Sequence, residues 1–337
     1  MNNTQINIRR IEKETYSDQD WKNYFKIREM YSEKFGKPMF FKSWEQLKEL
    51  TNLWIEDGGG FYTVHENNKP IGFFVFVIQL KEYKERQYVF YRDGLLVDFS
   101  EEIMGKIGEC FLDYDSSSNY LLIQSSNGKN DFLVESINAE IGDNIELWSL
   151  NVKQAKIELI NDWFKTYTEK FENYELRHYE DIPDDLLNEY CSVLTGLRYD
   201  MPTKSEASKR EADPTELRKR EEHNKKNNWY TYRYLVFDEG KLIGMTNLSL
   251  NKNKPEIMYQ NMTGTLKKYR RKGIGKWMKS AMFLRLIKEF PSLESIDTRV
   301  DPENIGSIEL SRKMGFENIG FKKDLIISRE KIIEYLN

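Results

Sequence analysis

The sequence predicts an α/β protein built as two similar halves. The chain has 337 residues, which is long for one domain and fits two domains of about 150 residues each. Its hydrophobic fraction of 39% and aromatic fraction of 14% suffice for two cores, so a disordered or fibrous class is excluded. A repeated strand–turn–strand pattern, and a strand that leads through a glycine-rich turn into a helix, predict the mixture of strands and helices.

The repeated pattern is a β-hairpin. Residues 61–78 form an apolar strand, a polar turn and a second strand that opens with Lys69-Pro-Ile-Gly72. Residues 232–250 follow the same order, and their second strand opens with Lys241-Leu-Ile-Gly244. The copies are 172 residues apart, which is the size of one domain. Hairpins are common, so this repeat alone leaves both duplication and coincidence open.

Composition limits the partners. The net charge of −4 is spread over 51 basic and 55 acidic side chains, which indicates a solvated surface, a small partner and no nucleic acid. The N-terminus lacks an apolar run of signal-peptide length, and the longest apolar stretch, residues 71–80, is too short to span a bilayer. Isolated Cys110 and Cys191 are expected to be reduced thiols, and three scattered histidines predict no metal site. We therefore expect a cytoplasmic protein with no membrane partner.

The two predicted domains meet near residue 165. Apolar residues at helical spacing between positions 152 and 171 predict a connecting or packing helix, and a new strand begins at Tyr174. This gives domains 1–165 and 166–337. In the second, Asp213 is the predicted N-cap of a charged helix that has Pro214 in its first turn and ends near Lys226. That helix is either a solvated surface element or a wall of an acceptor cleft.

The chemistry lies in the segment that follows the second hairpin. A strand near Met258 leads into Arg270-x-x-Gly273-x-Gly275, and apolar residues at helical spacing follow from Trp277. Glycines expose successive N–H groups, and a helix start carries unpaired N–H groups that attract anions. Seven basic and no acidic side chains lie between Lys267 and Lys279, as a diphosphate ligand requires. The order Gly-Lys-Ser/Thr of a Walker loop is absent, and so is the third glycine of a Rossmann turn.

This turn resembles the pyrophosphate-binding motif of the GNAT superfamily of N-acetyltransferases, and Leu266-Lys-Lys-Tyr269 matches the approach to it. A second signature follows in Asn304-x-x-Ser307-x-x-Leu310-Ser311-x-x-x-Gly315-Phe316. The resemblance covers roughly residues 174–330 and is nearest to tandem proteins with the architecture of mycothiol synthase. It implies two tandem GNAT-like domains, each a mixed, mostly antiparallel sheet flanked by helices, in which the strand at residues 295–300 separates from its neighbour to admit a thioester.

The resemblance also implies a function: transfer of an acetyl group from acetyl-CoA to a primary amine of a small molecule by direct attack, with CoA as product and no metal. The expected cofactor-binding residues are Met262, Thr263, Gly264, Thr265, Arg270, Arg271, Lys272, Gly273, Ile274, Gly275, Lys276, Asn304 and Ser307. Backbone N–H groups near 262–265 would polarise the acyl carbonyl. Replacing Gly273 by Glu is expected to abolish cofactor binding and leave the fold intact.

The catalytic residues are harder to assign. Family members often carry a tyrosine as general acid seven positions after the motif asparagine, and this chain has Ser311 there. Either CoA leaves as a thiolate, or Tyr259 or another group replaces the tyrosine. Glu256 is the predicted base because family bases often lie on that strand, although it could merely cap a strand after Pro255. His223 is a second candidate.

The first half has the hairpin but not the phosphate turn. At the corresponding position Asp98, Glu101, Glu102 and Glu109 face only Lys106, so we expect a degenerate domain that has lost cofactor binding. Three alternatives to an acetyltransferase are a catalytically silent acyl-CoA-binding protein, a transferase with another acyl donor, and a tandem transferase using aminoacyl-tRNA, which the balanced charge disfavours. The chain is expected to be a monomer or a homodimer.

Overall fold

The computed structural model describes residues 5–12, 15–35, 43–56, 58–83, 86–202 and 209–337, with backbone alone at 78–83, 86, 87, 92 and 93. The chain divides into two compact units, residues 1–144 with 322–337, and residues 145–321. The predicted division at 165 differs from these units. It falls inside a helix that packs within the second unit, and the last 16 residues belong with the first.

The first unit contains one mixed sheet. The elements in chain order are β1 Ile6–Arg10, α1 Asp18–Phe35, α2 Trp44–Glu56, β2 Gly60–Glu66, β3 Lys69–Tyr83, β4 Arg86–Asp93, α3 Glu101–Tyr114, β5 Tyr120–Ser126, α4 Phe132–Ser136, β6 Glu140–Asn151, which ends in the second unit, and, from the far end of the chain, β12 Glu317–Ser328 and α10 Arg329–Leu336. Strands β1 to β4 pair antiparallel, β4 and β5 pair parallel, and β5 pairs antiparallel with residues 322–328 of β12.

The second unit repeats this arrangement. Its remaining elements are α5 Ile157–Lys170, β7 Tyr174–Tyr179, α6 Asp184–Tyr199, α7 Pro214–Lys226, β8 Trp229–Asp238, β9 Lys241–Asn251, β10 Lys254–Thr265, α8 Ile274–Glu289, β11 Ser295–Val300 and α9 Ile305–Met314. Strands β7 to β10 pair antiparallel, β10 and β11 pair parallel through α8, and β11 pairs antiparallel with β6. The predicted mixed, mostly antiparallel sheets flanked by helices are confirmed.

Both predicted hairpins form, and local backbone preferences explain their tight turns. The β2–β3 turn places Asn67 and Asn68 at φ of 47° and 64°, and the β8–β9 turn places Glu239 and Gly240 at 50° and 77°. Two successive positive φ angles make a turn whose twist matches the flanking strands. Asparagine and glycine tolerate this conformation better than other residues.

Helices cover both faces of the second sheet and bury its apolar side chains. On one face α5 and α8 enclose a cluster that includes Leu250, Met258 and Phe283. On the other face α6 packs Tyr190 and Leu194 over the sheet. Helix α7 begins as predicted, because Asp213 Oδ1 accepts a hydrogen bond from Glu216 N at 2.8 Å and Pro214 lies in the first turn. This packing fixes the end of β10 and the start of α8.

Candidate active site

The end of β10 provides an unpaired strand edge. Strand β10 pairs with β11 only from Ile257 to Gln260, opposite Ser295 to Thr298. A bulge in the pairing with β9 falls between Gln260 and Thr263, after which residues 263–265 pair with β9 alone. A bulge bends a strand and re-aims its edge. In the described chain, residues 263–265 therefore have no partner strand on the side away from β9, where only Thr265 O is bonded, to Arg270 Nε.

The chain leaves β10 and turns sharply into α8. A 3₁₀ turn at Lys267–Tyr269 is followed by Arg271 at φ 58° and Gly273 at φ 105°. Gly273 is the N-cap of α8, and no side chain caps this helix start. Trp277 N donates to Gly273 O at 3.1 Å, which closes the first helical turn. Within the described part of the chain, nothing accepts a hydrogen bond from the backbone N–H groups of residues 271–276.

Those amide groups make the start of α8 suited to bind an anion. A helix start leaves its first N–H groups unpaired and carries the positive end of the helix dipole, which favours phosphate oxygens. The corresponding helix of the first unit, α3, is different. Ser100 Oγ accepts from Ile103 N at 3.3 Å, and Glu101 and Glu102 occupy its first turn. A side-chain cap and two carboxylates there leave no comparable place for a diphosphate.

Basic side chains surround the helix start but are not equivalent. Arg271 and Lys272 are exposed, and Lys170 Nζ of α5 donates to Lys272 O at 3.0 Å, adding a further positive charge. Lys276 Nζ lies 5.1 Å from the Trp163 ring centroid. Arg270 instead holds the loop, since its Nε donates to Thr265 O at 3.2 Å and its Nη2 pairs with Asp200 at 2.7 Å.

Gly273 is required for two independent reasons. Its positive φ is rarely adopted by L side chains. In addition, a Cβ atom there would lie 2.0 Å from Cε1 of Tyr167. The expectation that a Gly273→Glu variant keeps its fold is therefore wrong, because the side chain would be strained at this φ and the ring of Tyr167 would have to move. Gly275 is the cleaner position, since a Cβ there meets only Leu310 Cδ2 of α9, at 3.8 Å.

Comparison with known proteins agrees with this geometry. Residues 197–316 match the family model described as Acetyltransferase (GNAT) family. This chain carries a GNAT acetyltransferase domain. Its fold is that of a GNAT acetyltransferase, consistent with an acyltransferase enzyme, and the recognition drawn from the two sequence signatures is confirmed. Comparison with curated proteins finds no match.

Several solved structures resemble this fold over nearly the whole chain. A tandem GNAT protein from the clavulanic acid biosynthesis pathway has a TM-score of 0.71 at 11% identity, covering 96% of this chain and 99% of that one. A GCN5-related N-acetyltransferase from Sphaerobacter thermophilus has a TM-score of 0.62 at 11% identity, covering 96% of each chain. A GNAT acetyltransferase from Colwellia psychrerythraea has a TM-score of 0.53 at 11% identity, covering 95% and 99%. At these identities the likeness concerns the fold.

Helix α9 of the GNAT domain lies beside the start of α8, as the contact between Gly275 and Leu310 indicates. Asn304 is its N-cap, and Asn304 Oδ1 accepts from Ser307 N at 3.2 Å. The asparagine side chain thus has a structural role in addition to the cofactor role expected for it. Ser311, two turns further along α9, is fully buried.

Glu256, the predicted base, lies near the start of β10. It lies four residues before the last β10–β11 pair at Gln260, which is about 13 Å along an extended strand. One of its carboxylate oxygens, Oε2, is buried without a hydrogen-bond partner in the described residues. His223 lies in α7, where its Nε2 is 3.1 Å from Asn227 Nδ2.

Tyr259 lies close to the point where β10 and β11 separate, but its phenol is a weak acid. Burial, together with the nearby carboxylate of Asp297, raises the pKa of Tyr259 to about 12. A group with that pKa stays protonated at neutral pH and donates its proton poorly to a thiolate.

The described residues contain no group of three or more His, Cys, Asp or Glu side chains able to hold a metal. They also contain no helix long and apolar enough to cross a bilayer.

Sequence reasoning missed three features of the glycine turn and of α8. Tyr167 and Lys170 come from α5, whose role beside the glycine turn follows only from tertiary packing. The third is Lys279, one turn and a half into α8, which is only 4% exposed. In the sequence Lys279 looks like one more basic residue of the loop. Helical spacing could not show that it is buried, because α8 is buried almost continuously from Trp277 to Phe283. An unbroken buried stretch has no polar face to mark a lysine as unusual.

Proposed function

We propose that this protein transfers an acetyl group from acetyl-CoA to a primary amine of a small molecule, using the GNAT domain of its second half. The observation that carries the proposal is the run of backbone N–H groups at residues 271–276, which have no acceptor in the described chain and lie among basic side chains. Such groups fit the diphosphate of CoA. Bound acetyl-CoA would supply the thioester; the chain supplies binding and orientation.

Different residues of this domain would bind different parts of acetyl-CoA. The amides of Gly273, Ile274 and Gly275, with Arg271, Lys272 and Lys276, would hold the diphosphate. The unpaired edge of β10 at residues 262–265 would align the acyl arm, and its N–H groups would polarise the thioester carbonyl. Holding both substrates at once makes direct attack effectively intramolecular. No covalent enzyme intermediate is required.

Proton removal from the attacking amine is not assigned to Glu256. Its distance along β10 supports a structural place at the strand start. We expect Glu256→Gln to keep most of the kcat for any amine that is turned over. A drop of about 100-fold, typical for loss of a general base, would restore Glu256 as the base.

The proposal is tested by thiol release from acetyl-CoA in the presence of a panel of amines, including amino sugars, polyamines and amino-acid derivatives. Turnover with at least one amine is expected. Saturable acetyl-CoA binding with no turnover would favour the silent acyl-CoA-binding protein, for which Ser311 at the usual tyrosine position is the supporting observation. Absence of acetyl-CoA binding would overturn the proposal.

A further inference from the structure

Strand β11 carries two opposite charges at the point where it separates from β10. The last β10–β11 pair joins Gln260 to Thr298. Asp297 comes just before Thr298 and Arg299 just after it, where the pairing of β11 continues with β6. Alternate residues of a strand point to the same face, so Asp297 and Arg299 share one face, with their Cα atoms about 7 Å apart. A carboxylate and a guanidinium group therefore flank the end of the pairing.

The opposite face of these two strands is closed by α5 and α8. Met258 and Ile296 belong to the apolar cluster that these helices enclose. Tyr259 and Asp297, the next residues along each strand, point to the other face, where both are half-buried and Arg299 is exposed. An acceptor that reaches the point of separation must therefore arrive on the face that carries the two charges.

Asp297 is held in place by its neighbour on β6. Its Oδ1 accepts a hydrogen bond at 2.7 Å from the Oγ of Ser149, which lies directly opposite in the sheet. A carboxylate can accept about four hydrogen bonds, so the bond from Ser149 orients the group without exhausting it. Asp297 is thus a positioned anion beside the gap between β10 and β11.

Arg299 has no anionic partner in the described chain. Its guanidinium group forms no ion pair with any described residue, Asp297 included. Both charges nevertheless act on the phenol of Tyr259: burial raises the pKa of Tyr259 most, Asp297 raises it further and Arg299 lowers it. The two side chains therefore lie near the same phenol without pairing with each other, and they present a negative and a positive group side by side.

We propose that this face binds an acceptor of the α-amino acid class, with its ammonium group on Asp297 and its carboxylate on Arg299. One carbon atom joins the two charged groups of such an acceptor, so side chains two positions apart on one strand can meet both. A guanidinium group suits a carboxylate because it can donate two parallel hydrogen bonds to it. The ammonium group then lies at the end of the β10–β11 pairing, beside the edge of β10 proposed to align the thioester. This inference rests on the proposed acetyl transfer and names its amine.

Other classes of small amine match these charges less well. A polyamine would bring a second cation close to Arg299, where like charges repel. An amino sugar carries an amine but no carboxylate, so Arg299 would be left without an anion. Only an acceptor with both charges uses both side chains.

The test compares thiol release from acetyl-CoA with matched acceptors. These are the common α-amino acids, the amide of each one that is turned over, spermidine and glucosamine. We expect kcat/KM for at least one amino acid to exceed the values for its amide, for spermidine and for glucosamine by about tenfold or more. An amide, spermidine or glucosamine that is used as well as every amino acid would overturn the inference and leave the proposed function standing. Absence of thiol release with every amine would instead overturn the proposed function.

Two variants each remove one charge. Arg299→Gln should lower kcat/KM for the amino acid by about tenfold or more but should not lower it for the amide, which has no negative charge to lose. Asp297→Asn keeps an acceptor for Ser149 and should lower kcat/KM for the amino acid by a similar factor. It should leave unchanged the inhibition constant of the des-amino acid, which carries the carboxylate alone. The KM for acetyl-CoA should stay the same in both variants, and Lys288→Gln, at an exposed position of α8, should match wild type.

The choice of acceptor separates recognition from a structural role. Arg299→Lys keeps the positive charge and should retain part of the activity that Arg299→Gln loses. If Arg299→Gln reduces kcat/KM equally for the amino acid and its amide, Arg299 is structural and the inference is wrong. An unchanged kcat/KM for the amino acid in Asp297→Asn would likewise refute the role of Asp297.

Discussion

Replacing Lys279 by methionine should make the protein more stable at neutral pH. A fall in pKa from 10.5 to about 8 means that folding disfavours the charged form. At about 1.4 kcal/mol per tenfold change in protonation, the unfavourable contribution at pH 7 is about 3 kcal/mol. Methionine is unbranched and one heavy atom shorter than lysine, so it fills most of the same space without charge. Loss of the hydrogen bond to Ser311 offsets about 1 kcal/mol, so a net gain of about 2 kcal/mol is expected.

The difference in stability between wild type and Lys279→Met depends on pH. Between pH 8 and 10.5 the unfolded chain holds a proton on Lys279 that the folded chain has released. Wild-type stability therefore rises with pH across this window, relative to a variant without the lysine. The advantage of Lys279→Met should be full below pH 8 and should disappear near pH 10.5.

Thermal and chemical denaturation of the full chain measure this difference. A gain of about 2 kcal/mol in a unit of this size corresponds to a rise in Tm of roughly 4–8 °C at pH 7. Lys288→Met, at an exposed position of the same helix, should change the free energy of unfolding by less than about 0.5 kcal/mol. If Lys279→Met is less stable than wild type at pH 7, or its advantage is constant from pH 7 to 10.5, the buried ammonium is compensated and the reasoning is wrong.

Three further predictions concern other parts of the GNAT domain. Gly275→Glu places a carboxylate among the amides of α8 without backbone strain, so its affinity for acetyl-CoA, measured by calorimetry, should fall more than about tenfold. Gly275→Ala should bind acetyl-CoA normally, and equal affinities of the two variants would contradict the site. Glu221→Ala leaves Arg233 buried without the carboxylate that lies 2.9 Å from it, and should lower the free energy of unfolding by about 3–5 kcal/mol. The control, Glu216→Ala at an exposed position of the same helix, should lower it by under about 1 kcal/mol. A similar effect of both variants would show that burial of the pair is unimportant. Asn304→Ala removes the cap of α9 and should lower stability by about 1 kcal/mol, whereas Asn304→Asp, which can still accept from Ser307 N, should not.

The parts of the fold that were predictable depend on local backbone preferences. The two hairpins follow from strand periodicity and turn residues, and the start of α7 follows from the capping preference of Asp213. The glycine turn of α8 was predictable because glycine tolerates a positive φ and has no side chain to cap the helix start. Each of these signals lies within a few neighbouring residues.

What could not be predicted depends on residues distant in sequence. The assignment of residues 322–337 to the first unit results from pairing of β12 with β5, about 200 positions away, and nothing in the local pattern of β12 indicates it. The ring of Tyr167 against Gly273 and the ammonium of Lys279 against Ser311 likewise join segments that only packing brings together. Glu256 was predicted from residue type on the right strand, but its distance from the separation of β10 and β11 depends on pairing register.

The central claim, that the start of α8 holds a diphosphate, is tested most directly by calorimetric titration of wild type and Gly275→Glu with two ligands. Acetyl-CoA carries the diphosphate and the 3′-phosphoadenosine, whereas S-acetylpantetheine carries the same thioester and arm without either, so the change in preference caused by Gly275→Glu assigns the difference to the start of α8. We expect acetyl-CoA to bind at least 100-fold more tightly to wild type, and this preference to shrink in Gly275→Glu. Equal affinity of wild type for the two ligands would contradict the account.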